Sequence, residues 1–145
     1  MSKKYVAPMH TAEHVLNGVM VRLFGRGRCY SAHINPKKSK CDYRFDRDLT
    51  ADEALQVEQL VNEQLARNLA VREETLKLDE AANRYDLGRL PEGVDTVRVI
   101  HIGDFDSCPC IGEHVSNTRE VGMFRLTTHG FDEGTLRIRF KLEAR

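Results

Sequence analysis

The chain has 145 residues, 41% hydrophobic and 30% charged, which is the balance of one soluble globular domain with its own core, spanning 1–145. Its 22 Lys and Arg offset 22 Asp and Glu, which excludes a whole-chain attraction to nucleic acid and leaves any RNA binding to a local patch. No apolar run approaches membrane-spanning length, and the first eight residues lack the apolar stretch of a signal peptide. The expected location is therefore cytoplasmic, with thiols reduced.

Residues 9 to about 24 read as a helix. Pro8 suits its first turn, Val15, Leu16, Val19, Met20, Leu23 and Phe24 form an apolar stripe at helical period, and Gly25 and Gly27 end it. Arg28 to Ile34 and Ser39 to Phe45 read as a hairpin turning at Asn35-Pro-Lys-Lys38. Thr50-Ala-Asp-Glu53 is a capping-box sequence. The helix it opens is predicted to run to about Asn68, burying Leu55, Val57, Leu60, Val61 and Leu65.

A strand is expected from Ala70 to Leu78, a short helix from Asp79 to about Tyr85, and a turn at Leu90-Pro-Glu-Gly93. Val97 to Ile102 reads as a strand leading into a Cys-rich loop. Val121 to Thr128 and Thr135 to Leu142 read as a final hairpin. In its second half Leu136, Ile138, Phe140 and Leu142 alternate with Arg137, Arg139 and Lys141, so one face is buried and the other is wet and basic. Mixed elements and frequent hairpins predict a single α+β domain, a largely antiparallel sheet with two long helices packed on one side.

The four cysteines do not read as two disulfides. If Ile34 pairs with Ser39, Cys29 and Cys41 point to opposite faces of their hairpin, because side chains alternate along strands. Both are expected to be small buried residues.

Two short stretches carry donors suited to one metal ion. His10 and His14 are four apart, one turn along the same helical face. Cys110 and His114 lie close together in a Gly-containing loop. Two His from a helix with a Cys and a His from a loop make a plausible tetrahedral zinc set. His33, His101 and His129 form no comparable group. His10-Thr-Ala-Glu-His14 also matches H-x-x-E-H, the signature of inverted zinc peptidases in which Glu13 would be a general base. That pattern is short, and a Cys-x-x-x-His loop is no part of such a site.

Longer stretches support a resemblance that spans nearly the whole chain. His10-Thr-Ala-Glu-His14-Val-Leu is similar to the H-T-A-x-H-[LV]-L of the editing domain of alanyl-tRNA synthetases, its free-standing trans-editing relatives and the second additional domain of threonyl-tRNA synthetases. Ser31-Ala-His-Ile with Asp42-Tyr-Arg-Phe resembles that family's hairpin. Thr50 to Asn68 resembles its helix. Cys110-Ile-Gly112-Glu-His114-Val-Ser-Asn117-Thr118-Arg-Glu120-Val-Gly122 is similar to C-G-G-T-H-V-x-N-T-G-E-I-G. Gly134-Thr-Leu-Arg137-Ile138 resembles its closing motif. The chain departs from the pattern at Ile111, Glu113 and Arg119, which stand where the family has Gly, Thr and Gly. No segment precedes the first helix in this sequence, an arrangement expected of the shortest free-standing forms.

The resemblance implies zinc held by His10, His14, Cys110 and His114. The implied reaction is hydrolysis of the ester joining a wrong amino acid to tRNA, most simply serine or glycine on alanine tRNA, acting in trans. Glu13 and Cys108 are the supporting candidates beside the metal, and Thr11 is the candidate for facing the substrate pocket. Arg26, Arg28, Lys37, Lys38 and Lys40, with the Arg137, Arg139 and Lys141 row, are the candidates for RNA contact. The expected partner is the acceptor end of a mischarged tRNA, with neither DNA nor membrane. A non-catalytic zinc-stabilised module that binds tRNA or a synthetase, and a small metallohydrolase using Glu13, are the competing readings.

Overall fold

The computed structural model describes residues 6–85, 93 and 95–144. Its elements in chain order are α1 (Ala7–Phe24), β1 (Ser31–His33), β2 (Ser39–Arg44), α2 (Ala51–Leu65), β3 (Val71–Lys77), α3 (Leu78–Arg84), β4 (Thr96–Ile102), β5 (Asp106–Pro109), β6 (Met123–Asp132) and β7 (Thr135–Glu143). The α+β class expected from the sequence is what forms. The antiparallel strands fall into two sheets rather than one, a four-stranded sheet ordered β1-β2-β7-β6 and a three-stranded sheet ordered β3-β4-β5. The turn expected at residues 90–93 lies outside the described residues except for Gly93, which has φ 78°.

Local chemistry sets most boundaries. Pro8 sits in the first turn of α1, where its missing N–H is no loss. Gly25 ends the helix at φ 66°, its N–H donating to Val21 O. Thr50 and Glu53 form the reciprocal capping box at the start of α2. That helix ends at Leu65, three residues before Asn68, whose φ of 55° is left-handed. The β6–β7 hairpin turns on Glu133 and Gly134, both at positive φ, between the paired residues Asp132 and Thr135. That is the two-residue loop whose twist matches the flanking strands.

β5 is an element where the sequence suggested only a loop. Asp106–Pro109 is too short for any alternation to declare it, and it becomes a strand by pairing with β4, Ile100 opposite Cys108. A second correction concerns Cys29. The hairpin register is the expected one, with His33 opposite Lys40 and Ala32 opposite Cys41. Yet β1 is only three residues long and the chain bends at residues 28 and 30. Strand alternation therefore stops before Cys29, and its thiol comes to the same place as that of Cys41.

The two long helices bury their surfaces differently. On α2, Val57, Val61 and Leu65 are buried at four-residue spacing, while Leu55, expected inside, is 54% exposed. On α1 every residue from 11 to 20 is buried. A helix buried all round is ordinarily apolar, but this one carries Thr11, Glu13, His14 and Asn17 into the interior. Gly18 brings the Phe105 ring against the helix, where a Cβ would collide with it, and Arg22 stacks over that ring at 4.0 Å from its centroid. Around α1 the core closes with Tyr43, Ile100, Ile102, Phe124, Leu136, Ile138 and Phe140.

The segment after residue 115 is pinned to the end of α2. Thr118, fully buried, donates its hydroxyl to Leu65 O and accepts from Leu69 N–H. Asn117 donates to Asn68 O, and Val71 N–H donates to Ser116 O. These bonds fix where the preceding loop, residues 110–114, returns toward α1.

Candidate metal centre

His10, His14, Cys110 and His114 converge, their ligand atoms all within 4.8 Å of one another. α1 supplies the two histidines one turn apart, and the loop after β5 supplies the other pair. Cys110 Sγ is 3.3 Å from His10 Nε2, and ideal tetrahedral zinc bond lengths place a sulfur–nitrogen ligand pair about 3.5 Å apart. The imidazole of His10 stacks on His114 at 4.3 Å between centroids, and His14 meets His114 edge-on at 4.5 Å.

Neighbouring groups orient these donors. His10 Nδ1–H donates to Glu113 O at 3.2 Å, which leaves Nε2 as the acceptor nitrogen facing Cys110. His114 Nδ1 lies 3.0 Å from Thr11 Oγ1, and that hydroxyl also accepts from Val115 N–H at 3.2 Å. Gly112 lies flat against His10, where a Cβ would penetrate the ring. Arg98, on β4, grips the loop through the carbonyls of Cys110 at 3.1 Å and Gly112 at 2.6 Å, and is itself held by Glu73 at 2.6 Å. Asp106 takes both guanidinium nitrogens of Arg28, at 2.7 and 3.2 Å, and its Oδ2 is 3.7 Å from His14 Nδ1.

The donors fit a metal on three grounds. The buried His14 Nδ1 and His114 Nε2 have no hydrogen-bond partner among the described residues, which is expensive for a polar nitrogen unless something else meets it. Burial pushes all three imidazoles below their ordinary 6.5, His14 well below and His114 to about 3, with His10 and Arg98 adding charge repulsion at His114. They are therefore neutral at pH 7, with lone pairs to give. Burial raises the Cys110 thiol, so metal ligation there releases a proton. A soft sulfur and three imidazole nitrogens are the donor types of a zinc site.

The other residues singled out in the sequence are placed as follows. Glu13 is not a helix-surface carboxylate. It is 7% exposed, and its Oε1 lies 3.8 Å from His10 Nε2 and 3.9 Å from His14 Nε2. It sits on the inner side of the cluster, deeper than His10, whose side chain is 19% exposed. Thr11, expected to face a pocket, is fully buried behind His114. Cys108 is half-buried, with its thiol pushed up to about 11 chiefly by burial, and donates to Pro109 O at 3.4 Å. Among the RNA candidates Lys37 and Lys38 are exposed on the β1–β2 turn and Lys40 is half-buried on β2. Arg26 pairs with Asp46 at 2.9 Å, Arg28 is turned inward to Asp106, and Arg137 makes a two-pronged bond to Asp42 at 2.7 and 2.9 Å. Asp106 and Arg98 went unread in the sequence. Their partners are brought in from distant parts of the chain, and no local pattern marks them.

An α+β domain closed around a His/Cys cluster is the class that this fold and site define. Residues 97–139, which include Cys110 and His114, match the family described as the threonyl and alanyl tRNA synthetase second additional domain. Most of the chain is also similar to alanine–tRNA ligases. It is 35% identical to that of Leptospira biflexa over 136 residues, 88% of this chain and 14% of the ligase. It is 32% identical to that of Oceanobacillus iheyensis over 145 residues, 94% of this chain and 16% of the ligase. For Blochmanniella floridana the figures are 31% over 141 residues, 95% and 16%. Residues 97–139 thus resemble that second additional domain, and most of the chain is similar to one part of alanine–tRNA ligases. It spans about a seventh of the length of the relatives it matches.

Proposed function

We propose that this chain hydrolyses mischarged aminoacyl-tRNA, seryl- or glycyl-tRNA of the alanine type, with zinc held by His10, His14, Cys110 and His114. The observation that carries the reading is the convergence of those four donors within 4.8 Å from segments about a hundred residues apart. The similarity to alanine–tRNA ligases supplies the tRNA. When bound, zinc supplies a Lewis acid at which an activated ester is cleaved by water.

The residues of the chain have separable tasks in this reading. His10 forms the rim of the cluster, and the exposed loop residues Ile111 and Glu113 stand beside it. The substrate ester approaches from that side. Arg98 and Gly112 fix the loop so that Cys110 and His114 keep their places. Thr11 is a positioning residue that holds the His114 ring. Glu13 is 7% exposed, more deeply buried than the rim residue His10, which favours the editing reading over a metallohydrolase with Glu13 as general base. Among the RNA candidates, Lys37 and Lys38 are exposed with no ion pair among the described residues, and are the cations to meet tRNA phosphate. Such a role belongs in the cytoplasm, where tRNA is charged, with the chain acting in trans.

The test is a time course of the purified chain on seryl-, glycyl-, threonyl- and alanyl-tRNA at fixed salt, because phosphate contacts make RNA affinity salt-dependent. Seryl-tRNA of the alanine type is cleaved and correctly charged alanyl-tRNA is spared. A site that hydrogen-bonds the serine hydroxyl leaves buried polar groups unpaired when alanine enters, so it rejects alanine strongly. Equal rates on the two substrates defeat the discrimination argument, and no cleavage of any substrate leaves a non-catalytic binding module. In the same assay Glu13→Gln retains substantial activity. A loss of roughly a hundredfold, the effect of removing a general base, with zinc still bound, would transfer the site to the metallohydrolase reading.

A further inference from the structure

Behind the four-residue cluster lies a second convergence of donors that this reading does not use. Glu13 of α1, Cys29 from the bend before β1 and Cys41 of β2 bring one carboxylate and two sulfur atoms within 4.8 Å of one another. We propose that Glu13, Cys29 and Cys41 form a second metal site, for a soft divalent cation of the zinc and cadmium class, adjoining the first cluster through Glu13.

The geometry of Glu13 is the first support. Its Oε1 faces His10 and His14, while its Oε2 accepts from the Cys29 thiol at 3.6 Å and from the Asn17 amide. One oxygen thus addresses each donor set, the arrangement of a carboxylate between two ions. The 3.6 Å sulfur–oxygen separation is close to the about 3.5 Å that zinc–sulfur and zinc–oxygen bond lengths impose on a tetrahedral pair.

The second support is charge. Glu13 is 7% exposed, and among the described residues its hydrogen-bond partners are an amide and a thiol. Arg28, the nearby cation, has both its terminal nitrogens committed to Asp106. A buried carboxylate with no cation bonded to it is destabilising. A divalent ion between Glu13 and the two sulfur atoms gives that carboxylate a cation to bond. The two thiol protons leave to solvent as the ion enters.

The third support is preorganisation. Asn17 Oδ1 accepts from Cys29 N–H at 3.1 Å and from the Tyr43 hydroxyl at 2.7 Å, so the backbone at Cys29 is fixed in the bent course that aims its thiol inward. Cys41 is fully buried and its thiol bonds to that of Cys29. Cys29 is only half-buried, which leaves a way in for the ion.

The experiment is equilibrium dialysis of the reduced full chain against Cd2+, with metal counted by mass spectrometry and the sulfur-to-cadmium ultraviolet band recorded. Wild type binds two equivalents. The Cys29→Ser/Cys41→Ser variant binds one and keeps a third of the band, and the His10→Ala/Cys110→Ala variant binds one and keeps two-thirds. One equivalent in wild type overturns the proposal. So does a count that Cys29→Ser/Cys41→Ser leaves unchanged, or the loss of both equivalents in a folded His10→Ala/Cys110→Ala variant. If the serine variant fails to fold, maleimide labelling of Cys29 and Cys41 in wild type decides. Cd2+ slows it at least tenfold if the site exists. Unchanged labelling, or a disulfide found between the two residues, rejects it.

Discussion

Helices α1 and α2 are similar in length and opposite in design. α2 is stabilised largely by its own sequence: a capping box, acidic residues in its first turn, and one buried stripe of Val57, Val61 and Leu65. Its polar face is in water. α1 has no side-chain cap and is buried right round over ten residues. Asn17 bonds Glu13 within the helix, but most of α1's buried polar groups look to other segments, Thr11 to the 110–115 loop, Asn17 to Cys29 and Tyr43, and His14 lies beside Asp106. A helix stable by local rules can be scaffold. One whose buried polar groups reach mostly to distant segments is where chemistry is assembled.

That contrast is broken most severely by removing ligands. His10→Ala/Cys110→Ala should lose the first-site metal and reduce deacylation by roughly a hundredfold or more, since the Lewis acid supplies several kcal/mol. Full retention of zinc in that variant would remove the basis for the site. The next largest effect is on stability. Chelation of the metal should lower the melting temperature by roughly 10 °C, because an ion bound far more tightly by the folded chain than by the unfolded one stabilises by a few kcal/mol. An unchanged melting curve after verified removal would show that the ligands join segments already held by other means.

A smaller effect is on pH dependence in the metal-free chain. His14 and His114 have folded values below their ordinary 6.5, so the unfolded state binds more protons. Their contribution to stability is present above about 6.5 and is lost as pH falls from there, for His114 through about 3. Glu13, raised by burial, acts in the opposite sense, its contribution being lost as pH rises through its elevated value. His10 is lowered too, so three imidazoles act against one carboxyl, and urea unfolding at pH 5 should give a lower stability than at pH 7.5. Zinc should steepen this dependence, because protons compete for the same donors. An equal or higher stability at pH 5 would contradict the burial of those rings. The smallest effect belongs to α2. Thr50→Ala removes its cap and should destabilise by about 1 kcal/mol, with metal content unchanged. If it released metal, the two helices would not be separable in the way described.

What could be read from the sequence follows the same division. β7 announced itself by alternation, and Leu136, Ile138 and Phe140 are indeed fully buried. Thr50 and Glu53 form the cap their spacing suggested. These are local signals, carried by residues a few positions apart. Leu55 failed because helical periodicity admits a stripe wider than the face the fold covers. β5 failed because Asp106–Pro109 is a strand by virtue of its neighbour rather than its composition. The opposition inferred for Cys29 and Cys41 failed although the register was right, since alternation holds only where the strand continues. In the candidate site, the spacing of His10 with His14 and of Cys110 with His114 singled out four residues that the fold brings within 4.8 Å. The motifs also pointed to Thr11 and Glu13, but nothing in the spacing revealed that Arg98 and Asp106 hold the assembly. Those roles exist only between residues far apart along the chain.

The separation of the two ligand pairs has a consequence for how the chain is made. During synthesis α1 emerges first, and Asp106, Cys110 and His114 about a hundred residues later. At ribosomal speeds of about 5–20 residues per second, that is an interval of roughly 5–20 seconds. Within it α1 can meet the β1–β2 hairpin and α2, which supply part of its core, but His10 and His14 still lack Cys110 and His114. A site built from all four donors cannot be complete before residue 114 has emerged.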